Sequence, residues 1–151
     1  MITIGLRAAP RSVTFAVYDT DVNSILNVEE IRAPAAFATP NILKFLRINL
    51  LDVLREYKVK RAGIRLAEPM AQSPNLERIQ IEAVMQEAFA SSTLDGYFAG
   101  PIATITARLG MERSDFKPHV EGQREYPLEG WANMSPVQRE AALCAVAAAD
   151  V

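Results

Sequence analysis

Acids are plentiful in this sequence, but it has one histidine and one cysteine, and no set of side chains falls into a recognisable catalytic spacing. The single histidine, His119, stands between Pro118 and Val120 with no acid or nucleophile beside it, so a general-base role lacks partners and a surface position is expected. The single cysteine, Cys144, lies in an alanine-rich apolar run. It can form no internal disulfide, and a buried, inert thiol is expected. Asp19 and Asp21 fall in the segment Asp19-Thr-Asp-Val-Asn23, where they read as turn residues, while Glu77 and Glu82 read as solvated positions on a helix. No nucleotide-binding glycine loop, zinc-ligand spacing or serine-based triad is recognisable.

The elements that must position these groups are those of one globular domain covering residues 1–151. Half of the residues are hydrophobic and 23% are charged, with a formal net charge of −2 and a pI near 5.5. That balance gives no general attraction to phosphate backbones, so any binding of nucleic acid must be local. No apolar run approaches the roughly 20 residues that span a bilayer. Met1 leads straight into Ile-Thr-Ile-Gly rather than a basic and then apolar segment. No membrane association and a cytoplasmic location are expected.

Alternation at Ile2, Ile4 and Leu6, then at Val13, Phe15 and Val17, predicts two strands joined at residues 8–11, and Ile25 to Ile31 a third. Thr39-Pro40 reads as an N-cap followed by a first-turn proline, opening a helix whose stripe runs through Ile42, Leu46, Leu50 and Tyr57. Ala62 to Ala67 is a short strand parallel to the first. Ser73-Pro74 repeats the cap device before a helix reaching about Ser92, and Tyr97-Phe98-Ala99 is a fifth strand. Gly100-Pro101 opens a helix that Gly110 stops, and Ser135-Pro-Val-Gln138 is a capping box leading an Ala-rich terminal helix. Between Gly110 and Met134 no period is visible, which predicts a long loop or lid, with Trp131 pinning it to the core.

This order resembles ribonuclease H-like folds, and several segments are similar to RuvC-type Holliday junction resolvases and their relatives. Ile2-Thr-Ile-Gly-Leu-Arg-Ala-Ala-Pro10 resembles an opening strand that in the family carries Asp before Pro-Gly. Ala62-Gly-Ile-Arg65 resembles the strand that carries Glu. Tyr97-Phe-Ala-Gly-Pro101 through Gly110 resembles the fifth strand and its helix. Arg139-Glu-Ala-Ala-Leu-Cys-Ala145 resembles the last helix, where the family has an Asp. The resemblance implies an α/β fold with a mixed five-stranded sheet, order 3-2-1-4-5, flanked by helices.

The resemblance also implies a nuclease site built on two divalent metals about 4 Å apart between carboxylates. In this chain the first acid is replaced by Arg7 and the second by Arg65, leaving Glu140 as the one acid on the last helix. A guanidinium cannot ligate Mg²⁺, so no catalytic residue and no metal cofactor are expected. Arg7, Arg65 and, in the first turn, Arg11 become candidates for holding an anion. The internal anion is Glu140, in a buried Arg–Glu–Arg cluster; an external one would be phosphate.

Three roles stay open. The leading one is a pseudo-nuclease that binds nucleic acid or another protein. The second is a subunit that buries its terminal helix against its own copy or a partner, since apolar side chains surround that helix. The third is an Mg²⁺-dependent, structure-specific DNA nuclease with relocated carboxylates, Glu68 and Glu140 being the available acids.

Overall fold

A computed structural model describes residues 1–151. Strands β1 (Ile2–Ala9), β2 (Ser12–Asp19) and β3 (Ser24–Arg32) form an antiparallel meander, because two tight turns return the chain before any helix can start. Helix α1 (Thr39–Glu56) then crosses over, and β4 (Arg61–Arg65) lies parallel to β1. Helix α2 (Leu76–Ala90) returns the chain to β5 (Gly96–Gly100), parallel to β4, so the sheet order is β3-β2-β1-β4-β5. Helix α3 (Ile102–Leu109), a short α4 (Phe116–Val120) and α5 (Pro136–Ala147) complete the chain. No helix is long and apolar enough to cross a membrane.

The alternation read from the sequence becomes a two-sided sheet. Ile4, Leu6, Val13, Phe15 and Ile64 face α1 and α2, packing on Ile42, Leu46, Leu50, Ile81 and Met85. The opposite face carries α5, with Ala141 to Ala145 fully buried beside Phe98, Ile105 and Trp131. The apolar residues all round α5 are thus covered by the chain's own sheet, α3 and α4. The expectation that this helix offers a face to a partner is corrected accordingly.

Helix α5 lies unusually close to the sheet because two glycines sit beneath it. Gly5 on β1 and Gly63 on β4 are partners in the parallel register. A Cβ at Gly5 would stand 2.0 Å from the Ala141 carbonyl oxygen and 2.2 Å from the Ala145 nitrogen, and one at Gly63 would meet the Phe98 ring and the Cys144 carbonyl. The Thr3 hydroxyl, on β1, donates to the Ala145 carbonyl at 2.6 Å. Bare backbone at Gly5 and Gly63 therefore sets the height of α5 over the sheet, and with it the position of Glu140.

Local signals differ from expectation at the caps. Ala38, without a side-chain cap, precedes α1, and Thr39 lies inside the first turn with Pro40. Asn75, not Ser73, caps α2, its side chain accepting from the Arg78 N–H at 2.9 Å. The Ser135 capping box and the left-handed Gly110 that stops α3 form as read. Residues 111–134 are not one open loop. They contain α4 and 3₁₀ turns at Arg113–Asp115 and Trp131–Asn133, tied down by buried Phe116, Val120, Leu128 and Trp131. Arg139 clamps the segment: its guanidinium donates to the carbonyls of Trp131, Val120 and Ala132 at 3.0–3.1 Å.

Candidate functional site

The C-terminal ends of β1 and β4 form the edge where α/β sheets commonly present their chemistry. Arg7 and Arg65 are direct register partners there. Two neighbouring guanidinium groups repel unless an anion stands between them. Glu140 on α5 fills that place: its Oε2 accepts from Arg7 Nε and lies 3.4 Å from an Arg65 terminal nitrogen. Arg7 also donates to the neighbouring Ala8 carbonyl. All three side chains are more than four-fifths buried. The guanidinium carbon of Arg65 lies 5.9 Å from the centroid of the buried Phe116 ring, which fixes it further.

The cluster extends beyond these three. Glu68 follows β4 by three residues, and the chain bends after Leu66, whose N–H donates to the Gly100 carbonyl. That bend brings the Glu68 carboxylate back to 3.5 Å from Arg65 and 3.6 Å from Arg113. Its Oε1 also accepts from the Ile102 N–H at 3.0 Å, at the start of α3, where the helix dipole favours a negative charge. Glu82 is buried, in contrast to the solvated position read from the sequence. Both its oxygens accept from the Ala67 N–H, and one from Arg78 Nε at 2.8 Å. Burial holds the Arg78 guanidinium below the usual arginine range, and the charges of Arg7 and then Arg65 lower it further. Three cations thus share one electrostatic neighbourhood. Arg78 escaped the sequence reading and Glu82 was read there as solvated; the signal for their pairing was an i,i+4 charge pair on a helix.

Other candidates lie elsewhere. Arg11 does not extend the cluster: its guanidinium donates to the carbonyls of Pro34, Ala35 and Phe37 at 2.7–3.1 Å, holding the connection after β3. His119 is half-buried, edge-on to Tyr126 at 5.5 Å, and its backbone carbonyl accepts from the Trp131 indole. Cys144 is fully buried, and burial pushes its thiol far above the ordinary range, with the Glu140 charge adding to the shift. Asp19 and Asp21 sit at the β2–β3 turn, where the Asp19 side chain accepts from the Asp21 N–H.

These residues do not suit a pair of divalent cations. Guanidinium groups occupy the ends of both central strands, and Glu140, Glu68 and Glu82 are each already bound by arginine. Nowhere do three acidic, histidine or cysteine side chains converge on one point. What the arrangement does supply is a set of fixed N–H donors at a sheet edge.

No protein-family model matches the chain, and no curated protein matches it. Solved structures do. Thermus thermophilus RuvC in complex with a Holliday junction substrate is similar over 99% of this chain and 92% of its own, with a TM-score of 0.70 at 13% identity. A second Thermus thermophilus RuvC structure aligns over 95% and 94%, with a TM-score of 0.63 at 12% identity. The fowlpox virus Holliday junction resolvase aligns over 99% and 95%, with a TM-score of 0.50 at 10% identity. The fold is the RuvC-like, ribonuclease H-like α/β fold, with the sheet order that the resemblance implies.

Proposed function

We propose that this chain is a ribonuclease H-like domain that works by binding rather than by metal-dependent cleavage, with structured nucleic acid as its ligand. One observation carries the reading: the Glu140 carboxylate is held between Arg7 and Arg65 at the ends of β1 and β4. In a two-metal nuclease that space belongs to cations held by acids. Here the cations are covalently part of the chain, and the reading calls for no metal cofactor.

Nucleic acid is supported as ligand by likeness to a resolvase whose structure holds a Holliday junction, and by exposed Arg113 and Lys117 at the mouth of the same edge. With an overall charge of −2, such binding depends on this local patch and weakens steeply with salt. The test is incubation with branched DNA and Mg²⁺ or Mn²⁺, alongside binding measured at two salt concentrations. The expected result is salt-sensitive retention of uncut DNA. Cleavage that requires the metal overturns the reading.

A second reading, a contact surface for a second copy of this chain, rests on a different place. Met70, Leu76 and Ile79, around the start of α2, are exposed apolar side chains. Replacing Met70 and Leu76 by serine abolishes any self-association seen by light scattering if that patch is an interface.

A further inference from the structure

A cavity of about 340 Å³ opens beside the closed cluster, lined by Arg65, Arg113, Lys117, Ser114 and Glu68 over the start of α3. Arg65 is shared with the cluster through Glu140, so across cluster and cavity four cations, Arg7, Arg65, Arg113 and Lys117, face two carboxylates, Glu140 and Glu68, in a chain whose net charge is −2. Glu68 meets those cations at long range, 3.5 Å from Arg65 and 3.6 Å from Arg113, beyond the usual length of a charge-assisted hydrogen bond. Arg65 is more than nine-tenths buried, and its Nε has no hydrogen-bond partner. Its donors are fixed against Phe116 and incompletely used.

The geometry points to a binding site in this cavity for a phosphate-class oxyanion, taken by Arg65 and Arg113, with Lys117 and the Ser114 hydroxyl alongside and Glu68 as the built-in competitor. This rests on the reading that the edge binds anions and not metals. Guanidinium forks match a tetrahedral oxyanion through paired N–H donors. Glu68 already shows where negative charge is favoured, since one of its oxygens takes the Ile102 N–H at the helix start. A phosphate dianion carries more charge than the carboxylate, a backbone phosphodiester the same charge on two free oxygens, and either competes for the same donors. A nucleic-acid backbone and a free phosphate ester present the same chemistry here.

The test is titration of the full chain with inorganic phosphate at constant ionic strength, followed by backbone amide shifts. Saturable shifts at Ile102, Arg113 and Ser114 are expected. Arg113→Ala and Lys117→Ala, both at exposed positions, each weaken binding about tenfold, the equivalent of about 1.4 kcal/mol. Glu68→Gln keeps an acceptor for the Ile102 N–H but removes the charge, and tightens binding about fivefold. Shifts that do not saturate, or unchanged affinity in the folded Arg113→Ala/Lys117→Ala double variant, overturn the site.

Competition by branched DNA assigns the oxyanion to a nucleic-acid backbone, and failure to compete assigns it to a free phosphate ester. Metal-dependent DNA cleavage by the unmodified chain defeats the proposed function while the phosphate titration still decides the cavity. Absent phosphate binding in a chain that binds DNA without cutting it defeats the cavity alone.

Discussion

Arg7 and Arg65 face each other across the β1–β4 pair, and the one carboxylate between them, that of Glu140, arrives from a helix more than 130 residues further along than Arg7. Like charges side by side at the end of a parallel sheet are tolerable only with that anion in place. The stability of the sheet edge and the position of α5 are therefore one property.

Removing the anion exposes the cost. Glu140→Ala leaves two largely buried guanidinium groups facing each other, and destabilisation near the lower end of about 3–5 kcal/mol is expected because some solvent reaches the site. The combined replacement Arg7→Met, Arg65→Leu, Glu140→Leu recovers most of that loss, since apolar packing substitutes for a buried ion cluster. Urea unfolding of the two proteins checks the pair. Equal stability of Glu140→Ala and the unmodified chain defeats the account.

Charge reversal at the strands tests whether the arginines are what keep metals away. Arg7→Asp with Arg65→Glu places three acids, Glu140 included, at one edge. The double variant is expected to be less stable than the parent without metal and to regain stability when millimolar Mn²⁺ is added. The same addition leaves the parent's Tm unchanged. A double variant indifferent to Mn²⁺ means that the positions do not form a metal pocket even with the right donors.

Gly5→Ala measures how closely α5 approaches the sheet. The added Cβ would stand 2.0 Å from a backbone carbonyl, an atom that cannot step aside alone, so the helix must lift. A loss at or above about 3 kcal/mol is expected, and it should also disturb the contact of Glu140 with Arg7. A thermal unfolding midpoint within a degree of the parent contradicts the packing described.

Cys144 supplies a pH signature. Its thiol is raised in the folded chain, so the folded state keeps its proton after the unfolded thiol has lost it. Stability is fully present below about pH 8.5 and declines above it, by up to about 1.4 kcal/mol per pH unit from this group alone. The Met1 amino group, Tyr18 and Tyr126 are raised as well and add to the alkaline loss. Comparison with Cys144→Ala therefore isolates the thiol: the slope between pH 8.5 and 10 should flatten. The native thiol should also resist alkylating reagents that label it at once in denaturant.

Much of the architecture is legible in the chain because its signals are local. Alternation at Ile4, Leu6, Val13 and Phe15, proline after a helix start, Gly110 at a helix end and the Ser135–Gln138 capping box each act over a few residues. The cap of α2 lies two residues past Ser73 because Asn75 accepts the Arg78 N–H, whereas α1 starts one residue early, at uncapped Ala38, so that Thr39 is already inside the first turn. Residues 111–134 carry no period because short helical turns held by Phe116, Trp131 and the Arg139 clamp need none.

The sequence by itself determined the strand alternation, the helix starts and stops, and the presence of Arg7, Arg65 and Glu140, while the order of the strands in the sheet and the acids expected at Arg7 and Arg65 came from the resemblance. Tertiary structure decided which charges meet: that Arg11 turns away to the carbonyls of residues 34–37, that Glu82 is buried on Arg78, and that Glu68 bends back toward Arg65. Propensity and periodicity act over a few residues of chain. An ion pair forms only where packing delivers both partners, and here that delivery depends on two bare glycines letting α5 settle onto the sheet.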